Sequence, residues 1–340
     1  MANSILPVVS IITPTYNHEN YILDCINSVK AQSFQNWEMI IVDDGSTDRT
    51  YEFALKASES DERISVYTQA NVGIFRLAET YNFALSIAKG EFIAVLEGDD
   101  VWLPGKLELQ VNQFRENEHI VLSFGNAFSS STDLKTDYSL TTAELLPLSV
   151  LTNNPIGAAT QQLLLQNFIV ALTVVVKANT LKSIGGFKQS HNLPLVDVTT
   201  WNELSLKGNF GFIQEPLGKW RFYPNQITKV YTAEISEGFY QYALEFHHRE
   251  KYLFKDTDFT IKKIHSFFRK KLVEAHSRSG RYKLIRKDFR GARKNYIKSI
   301  FGYGFYAPVW KLRSIIGFVL SLMNKDVEGL SKKLGKVSYK

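Results

Sequence analysis

The sequence predicts an α/β fold in which a mostly parallel sheet is flanked by helices and followed by a basic, helical C-terminal extension. Through the first 125 residues, short apolar runs alternate with stretches of helical periodicity, which is the pattern of repeated strand and helix units. Several apolar runs end in carboxylate-rich segments, as strands do when their carboxyl ends face a ligand crevice. Residues 251–340 differ, because they combine helical spacing with an excess of Lys and Arg.

The individual elements follow from these patterns. The predicted strands cover residues 8–13, 37–42, 64–67, 92–96 and 120–125, and the helices between them cover 20–32, 48–58, 76–88 and 104–117. After irregular loops at 126–165, Phe168 to Val176 is predicted as a buried strand, followed by a short helix. Helical spacing returns at 261–275, 284–300 and 303–323. We therefore expect an α/β domain at residues 1–230, with halves at 1–125 and 126–230, and a helical region at 231–340.

The run Phe92–Leu96 leads directly into three carboxylates, Glu97, Asp99 and Asp100. An ionised carboxylate that leaves water must be paired or bound to a cation. This strand end therefore predicts a site for Mg²⁺ or Mn²⁺ together with a diphosphate, since these cations prefer oxygen ligands and share them with phosphates. The alternative is an acidic turn that caps the helix beginning near Pro104.

Two other strand ends are expected at the same crevice. The second strand ends in Asp43-Asp44-Gly45-Ser46, and the first ends in Pro14-Thr15-Tyr16-Asn17. Ligands of open α/β sheets bind outside the carboxyl ends of strands, so both segments are expected to face one ligand. Tyr16 could stack on a base, and Asp44 could accept a hydrogen bond from the imide of a uracil-like or thymine-like base. Taken singly, Tyr16 could equally anchor a loop and Asp44 form a turn.

Five motifs, in this order, resemble glycosyltransferase family 2. They are Ile11-Ile-Thr-Pro-Thr-Tyr-Asn17, Ile41-Val-Asp-Asp-Gly-Ser46, Asn71-Val-Gly73, Gly90-Glu-Phe-Ile93 and Leu96-Glu-Gly-Asp-Asp100, followed by Trp102 and Lys106. The resemblance extends over about residues 7–225. It implies a GT-A fold, which is Rossmann-like, with a nucleotide-sugar donor, a divalent metal ion and inversion at the anomeric carbon.

The resemblance also implies roles for individual positions. Contacts to the donor would come from Pro14, Tyr16, Asp44, Asn71, Gly73, Arg76, Glu97, Asp99 and Arg221. Asp99 and Asp100 would hold the Mg²⁺ or Mn²⁺ ion. Glu97 stands where Asp is more usual in the family, so either Glu97 or Asp99 could be the second metal ligand. Arg221 would contact the leaving diphosphate or anchor its loop. A UDP-sugar is the favoured donor, with guanosine and thymidine nucleotides left open.

A sugar hydroxyl is a poor nucleophile at neutral pH, so the reaction needs a general base, and a carboxylate can serve. Beyond Gly185-Gly186-Phe187, the family pattern has Glu-Asp at the start of a helix, where this chain has Val196-Asp197. The resemblance therefore implies Asp197 as the base, with Glu203 as the fallback. The structural alternative is that Asp197 is only a first-turn acid stabilised by the helix dipole.

These assignments predict a transferase that moves one sugar to a hydroxyl of a glycan, a lipid-linked saccharide or a glycoprotein. Processive synthases of the family carry Gln-x-x-Arg-Trp, which this chain lacks. The alternative is a catalytically degenerate sugar-nucleotide-binding protein, which is suggested by Glu97, by Val196, and by Tyr223 at a position where the family usually has His. A dehydrogenase or nucleotidyltransferase is not supported, because Gly-x-Gly-x-x-Gly and the Walker loop are both absent.

The charge is divided unevenly along the chain. Residues 251–340 hold 23 Lys and Arg against 6 Asp and Glu, a net charge of +17, whereas residues 1–250 carry −11. Basic helices can lie on an anionic membrane surface, where each nearby cation contributes about 1 kcal/mol. Residues 310–323 are the best candidate for such a contact. The other interpretation is a helical bundle with a solvated basic face. Nucleic acid is not expected, because no binding motif accompanies the charge.

The sequence also bears on the cellular compartment. Cys25 is the only cysteine, so an intrachain disulfide is excluded and a reducing cytoplasm is predicted. The N-terminus shows no signal-peptide pattern, and no run of 18 apolar residues predicts a membrane span. We therefore expect a cytoplasmic protein, with peripheral contact at the inner face of the cell membrane through its basic helices.

Overall fold

The computed structural model describes residues 6–141 and 145–326 of the 340-residue chain. The chain forms two compact units: unit 1 comprises Met1–Gln189 and Leu195–Phe222, and unit 2 comprises Ser190–Pro194 and Tyr223–Lys340. Within the described residues, every strand belongs to unit 1, and unit 2 is helical. The domain boundary predicted at residue 230 therefore falls inside unit 2, a short distance beyond Phe222.

Unit 1 is built on one mixed sheet. In the described part of the chain its strands are β1 (Val9–Thr15), β2 (Trp37–Asp43), β3 (Ile64–Thr68), β4 (Phe92–Val95), β5 (Val101–Trp102), β6 (Ile120–Ser130), β7 (Asp137–Leu140), β8 (Val175–Lys177) and β9 (Asn209–Arg221). Their order is β3-β2-β1-β4-β8-β6-β9-β5, with β7 paired to β6. The four strands β3, β2, β1 and β4 are parallel, as are β6 and β9, and the remaining pairs are antiparallel.

Helices connect these strands and form unit 2. Those of unit 1 are α1 (Ile22–Lys30), α2 (Thr50–Ser58), α3 (Leu77–Ile87), α4 (Lys106–Glu116), α5 (Leu148–Leu151), α6 (Thr160–Leu165), α7 (Ala178–Ser183) and α8 (Asp197–Leu204). Those of unit 2 are α9 (Ile227–Val230), α10 (Thr232–Arg249), α11 (Ile261–Ile285), α12 (Phe289–Phe301) and α13 (Pro308–Leu322). Of the helices described, none is long and apolar enough to cross a membrane.

The core lies on both faces of the sheet, because side chains of a strand point alternately to opposite faces. In β4, Ile93 and Val95 belong to one buried cluster, whereas Phe92 and Ala94 belong to the other. A strand that is covered by helices on both faces has no solvated side. This explains why β1, β2 and β4 carry buried apolar side chains on both faces, without the regular polar alternation of a half-exposed strand.

The register of the parallel strands aligns their carboxyl ends. Thr15 at the end of β1 pairs with Asp43 at the end of β2, and Ile12 pairs with Val95 at the end of β4. The polar segments that follow these strands therefore leave the sheet at one edge. The predicted α/β fold and its parallel first half are confirmed.

Three expectations about individual elements were wrong. The strand expected from Phe168 to Val176 is a 3₁₀ turn at Ala171–Thr173 followed by β8, because backbone hydrogen bonds within the turn replace a strand ladder there. The long strand β9 is absent from the predicted elements, since its glycines and Pro216 obscure the strand periodicity. The last helix begins at Pro308 and not near residue 303, because Gly304 and Ala307 have left-handed backbone conformations.

We expect Gly90→Ala to destabilise the sheet. A Cβ atom at Gly90 would lie 2.4 Å from the backbone nitrogen of Ser10 and 2.8 Å from the carbonyl carbon of Val9, and neither backbone atom can move without disturbing β1. The free energy of unfolding should fall by about 1–3 kcal/mol, measured by urea denaturation. Lys89→Ala is the matched control, since Lys89 is exposed. Equal unfolding midpoints for the two variants would contradict the prediction.

Candidate active site

Asp44, just after β2, organises the loop that follows β3. Its carboxylate accepts hydrogen bonds from Gln69 Nε2 at 2.7 Å, from the backbone N–H of Val72 at 2.9 Å and from that of Gly73 at 3.4 Å. Asn71 Nδ2 donates to the Asp44 backbone carbonyl at 2.8 Å. The predicted donor residues Asp44, Asn71 and Gly73 therefore form one connected group, and Asp44 shapes the loop whether or not it also binds a base.

The end of β1 is joined to the end of β2 by residues, among them the motif residues Asn17 and Ser46, to which the sequence analysis gave no role. Asn17 has a φ of 54°, its backbone N–H donates to Ser46 Oγ at 2.8 Å, and its side-chain oxygen accepts from the Thr47 N–H at 2.9 Å. Tyr16, the predicted base-stacking residue, is 44% exposed. A ring with this exposure is open to a ligand, whereas a buried anchor would not be.

The acidic turn, residues 97–100, packs against the end of β1. The Gly98 N–H donates to the Pro14 carbonyl at 3.1 Å, which gives the predicted donor residue Pro14 a positioning role. A Cβ atom at Gly98 would lie 2.5 Å from Thr15 Oγ1 and 3.0 Å from His18 Nδ1, so only glycine allows this approach. His18 Nε2 lies 3.9 Å from Asp99 Oδ2, which brings a side chain from the loop after β1 to the carboxylates.

Each carboxylate of the turn has a different setting. The Tyr81 hydroxyl of α3 donates to Glu97 Oε1 at 2.7 Å. Asp100 is buried, and its Oδ1 accepts from the Arg221 backbone N–H at 2.9 Å. Asp99 keeps partial exposure, with its side chain 14% accessible. Of the three, Asp99 is therefore placed most openly toward a ligand.

The carboxylates of the acidic turn repel one another in a buried environment. Burial, with added repulsion from Asp99 and Asp197, raises the pKa of Glu97 to about 7, although the hydrogen bond from Tyr81 opposes the shift. Burial also raises the pKa of Asp100 well above its usual value, and Asp99 and Glu97 reinforce the effect. A bound cation would relieve this repulsion, because it favours the charged form of each neighbouring carboxylate.

The residues present fit a divalent metal only as a partial ligand set. Across residues 6–141 and 145–326, no group of three or more His, Cys, Asp and Glu side chains is arranged to hold a metal ion. Asp99 and Asp100 offer the hard oxygen atoms that Mg²⁺ and Mn²⁺ prefer. Mg²⁺ is usually held by one or two carboxylates, with substrate phosphates and water completing its shell. The site therefore suits a metal that arrives with a diphosphate.

Arg221, the last residue of β9, is held in place on several sides. Its guanidinium donates to Asp24 Oδ2 at 2.6 Å and to the Thr132 carbonyl, and it lies 4.9 Å from the centre of the Tyr21 ring. Its side chain is 1% accessible. These contacts are those of an anchor, the second role considered from the sequence. Contact with a diphosphate stays a prediction.

Arg76, also predicted to contact the donor, lies in a different setting. It is exposed and pairs with Glu79 on the first turn of α3, with 2.6 Å between Arg76 Nε and Glu79 Oε1. Exposed pairs of this kind contribute little to stability, so the pair would readily open for another anion.

Asp197 begins α8 and is held by two hydrogen bonds. Its Oδ2 accepts from Asn167 Nδ2 at 2.7 Å, and its Oδ1 accepts from the Val198 N–H at 2.7 Å. Burial raises its pKa to about 6, and these hydrogen bonds partly oppose the shift. Such a carboxylate is ionised at neutral pH and is more basic than an exposed one, which suits a general base.

Asp197 shares a small recess with Tyr81, the partner of Glu97. The recess is lined by Tyr81, Val95, Ala171, Phe187, Val196, Asp197 and Trp201. Asp197 and the acidic turn are thus brought together by α3 and β4, and the charge of Asp197 contributes to the raised pKa of Glu97. The described lining does not include Glu203, the fallback base, which lies in the last turn of α8.

The position before Asp197 departs from the family pattern for a structural reason. Val196 is 4% exposed and belongs to the hydrophobic cluster around Trp201. A glutamate there would bury a charge without a described partner. The valine therefore replaces a charge with packing and leaves Asp197 at the first turn of α8.

Sequence comparisons find glycosyltransferases among the similar proteins. The model of glycosyl transferase family 2 matches residues 10–169. TuaG of Bacillus subtilis, a glycosyltransferase whose name assigns it to teichuronic acid biosynthesis, is 34% identical over 224 residues, which are 65% of this chain and 82% of TuaG. WfgD of Escherichia coli, named UDP-Glc:alpha-D-GlcNAc-diphosphoundecaprenol beta-1,3-glucosyltransferase, is 41% identical over 119 residues, which are 35% of this chain and 45% of WfgD.

Solved structures share the fold. S. aureus TarS 1–349 in complex with UDP-GlcNAc aligns with a TM-score of 0.52 at 14% identity, over 98% of this chain and 93% of that one. The mannosyltransferase PcManGT from Pyrobaculum calidifontis, in complex with GDP-Man and Mn²⁺, aligns with a TM-score of 0.57 at 15% identity, over 95% of this chain and 89% of that one. At such identities the likeness concerns the GT-A fold alone. Because its identity to TuaG extends over most of that enzyme, the chain belongs to glycosyltransferase family 2.

Proposed function

We propose that this glycosyltransferase is an inverting, metal-dependent enzyme that transfers one sugar from a nucleoside diphosphate sugar to an acceptor hydroxyl. The observation that supports it most is the shared setting of Asp197 and the acidic turn. Tyr81 donates to Glu97 and lines the recess that contains Asp197. A candidate base and a candidate diphosphate site therefore lie side by side, as a displacement at the sugar carbon between them requires.

The donor nucleoside would lie at the ends of β1 and β2. Tyr16 offers an exposed ring for stacking, and Asp44 offers its remaining acceptor capacity to a base imide. We propose a UDP-sugar. TarS was crystallised with UDP-GlcNAc and WfgD is named for UDP-Glc, which supports uridine, whereas PcManGT was crystallised with GDP-Man.

Asp99 and Asp100 would hold Mg²⁺ or Mn²⁺. When bound, the ion would offset the negative charge that gathers on the leaving diphosphate. The protein itself orients the turn through the Gly98 N–H bond to Pro14 and the Arg221 N–H bond to Asp100. Tyr81 orients Glu97 through the hydrogen bond from its hydroxyl.

Asp197 would take the proton from the acceptor hydroxyl while that oxygen attacks the anomeric carbon from the side opposite the diphosphate. The new glycosidic bond forms as the bond to the diphosphate breaks, which inverts the configuration in one step. Asn167 and the Val198 N–H orient the carboxylate and favour its ionised form. Each oxygen of Asp197 keeps a second acceptor position for the proton.

The acceptor is proposed to be a saccharide or lipid-linked saccharide of the cell envelope. TuaG is named for teichuronic acid biosynthesis, and WfgD for a diphosphoundecaprenol-linked sugar. A lipid-linked acceptor lies at a membrane surface, and we propose that the basic helices of unit 2 hold the enzyme there. Unit 2 would then recruit the enzyme, and unit 1 would carry out the transfer.

The first test is a screen of the purified chain against nucleotide sugars with Mn²⁺, Mg²⁺ or EDTA. One donor should raise the melting temperature only with metal, and slow release of its nucleoside diphosphate should accompany the shift.

Asp99→Asn and Asp100→Asn should each lower that release by about 10² or more, because the charge on the leaving group is then less well offset. Glu108→Gln, a substitution on α4, is the control. Metal-dependent binding of a donor without any turnover would instead identify a degenerate binding protein.

Asp197→Asn should abolish general base catalysis while keeping the shape of the recess. We expect kcat to fall by about 10²–10⁴, with the affinity for the donor largely unchanged. The comparison is Glu203→Gln on the same helix, which should stay near the wild-type rate. Equal losses in both variants, or a normal rate in Asp197→Asn, would exclude Asp197 as the base.

The pH profile tests the base independently. A base with a pKa of about 6 is inactivated by protonation, so log kcat/KM should fall below about pH 6 with a slope near one. Asn167→Leu removes a hydrogen bond that favours the ionised carboxylate, so the acidic limb should move to higher pH. Gln166→Leu, at an exposed neighbouring position, should leave the limb in place. A limb that stays fixed in Asn167→Leu would show that Asn167 does not position the base.

A further inference from the structure

Helix α13 exposes large apolar side chains along one face. Val309, Leu312, Ile316, Val319 and Met323 recur at spacings of three and four residues and are between 49% and 64% exposed. Residues with this spacing lie on one side of a helix. A helix on the surface of a water-soluble unit normally turns such a stripe toward the core. We call this stripe, with the adjoining Ile315 and Leu322, the apolar face of α13.

The opposite side of α13 is buried and consists of small residues. Ser314, Gly317 and Ser321 face the bundle, and Ser314 Oγ donates to Ser299 Oγ at 2.8 Å. A Cβ atom at Gly317 would lie 2.3 Å from Cζ of Tyr296, so the two helices meet closely at this glycine. The close contact fixes the rotation of α13, and the apolar face cannot turn inward without breaking it.

Neighbouring aromatic residues extend the exposed apolar surface. Phe301 ends α12 and is 78% exposed, and Phe305 in the next turn is fully exposed. Trp310 on the first turn of α13 is half-buried, with the guanidinium groups of Arg278 and Arg313 at 5.2 and 4.8 Å from its ring. Aromatic rings beside basic groups are typical of surfaces that meet the headgroup region of a bilayer.

The charge around this surface is mostly positive, although Lys298 pairs with Glu237 at 2.9 Å and Arg278 pairs with Glu274 at 2.6 Å. From Phe289 to Lys325 the chain contains seven Lys or Arg and no Asp or Glu. Among these cations, Arg290, Lys294, Lys298, Arg313 and Lys325 are exposed. A second copy of the chain on the apolar face would bring two such regions together, which like-charge repulsion opposes. An anionic lipid surface supplies the opposite charge and an apolar phase at once.

We propose that the apolar face of α13 binds the surface of an anionic lipid bilayer. The helix lies in the plane of the interface, because its 15 residues extend about 22 Å and a spanning helix needs about 20 residues. The apolar side chains enter the boundary between headgroups and acyl chains, and the surrounding cations contact lipid phosphates. This docking deepens the proposed recruitment to a lipid-linked acceptor, but its test requires neither donor nor turnover.

The test is sedimentation of the full chain with vesicles of phosphatidylglycerol and phosphatidylcholine. Binding to anionic vesicles should weaken as salt increases, and pure phosphatidylcholine should bind far less. Leu312→Ser/Ile316→Ser should reduce partitioning by about tenfold or more, since both side chains leave water on docking. Leu55→Ser/Leu109→Ser is the matched control, because these leucines are also exposed but lie in unit 1. Both double variants should melt within a few degrees of the wild type, since serine replaces exposed side chains.

The alternatives give different results. Equal partitioning of the two double variants would overturn the proposal, as would the absence of binding to anionic vesicles. A dimer in sedimentation velocity that Leu312→Ser/Ile316→Ser dissociates would identify the apolar face as an interface between copies, which also overturns it. Normal transferase activity on a soluble acceptor, together with lost vesicle binding, would separate docking from catalysis.

Discussion

The organisation of unit 1 depends on accommodating several carboxylates at the end of a buried strand. Glu97, Asp99 and Asp100 follow β4 with little solvent to stabilise their charges, and burial raises the pKa of two of them. The surrounding structure supplies a hydroxyl from Tyr81 and a backbone N–H from Arg221. These donors orient the turn without neutralising it. A cation bound at this turn would relieve the repulsion among these carboxylates, and the proposed donor diphosphate would share that cation.

The proposed nucleoside contacts and the proposed base are each held by hydrogen bonds to neighbouring elements. Such preorganisation suits a transferase. Asp44 binds the backbone of the loop after β3, so the proposed nucleoside contacts move as one group. Asp197 lies at the start of α8, and the hydrogen bond from Asn167 orients its carboxylate. The proposed single displacement requires the acceptor oxygen and the leaving diphosphate to be aligned. Carboxylates that are already oriented reduce the entropy lost in that alignment.

In unit 2, packing exposes the apolar face of the amphipathic helix α13, the face that a surface helix usually buries. In α13 the small residues are buried because Tyr296 and Ser299 of α12 leave no room for larger ones. The large apolar side chains are then exposed, at a cost in water that a lipid surface removes. The basic composition of residues 251–340 supports this view, since cations around an apolar stripe are a liability in a core and an advantage on an anionic bilayer.

Much of the fold could be predicted, and candidate site residues could be proposed, because the signals for both are local. The apolar runs of β1, β2 and β4 and the polar residues at their ends are contiguous in sequence, and strand direction alone brings those ends to one edge. The resemblance located Asp197 through a motif at a helix start. By contrast, the strand expected at Phe168–Val176 was wrong, because an apolar run does not by itself distinguish a strand from a turn within a core.

The sequence by itself therefore determined the order of the strands' acidic ends, the excess of cations in the last 90 residues and the periodicity of α13. Only the tertiary structure decided which residues form hydrogen bonds with the site residues. Tyr81 is 16 residues from Glu97, Asn167 is 30 from Asp197, and Asp24 is 197 from Arg221. Hydrogen bonds across such separations depend on how elements pack, which no short motif encodes. For the same reason, the spacing in α13 predicted an apolar face, but only its contact with Tyr296 decided that this face is exposed.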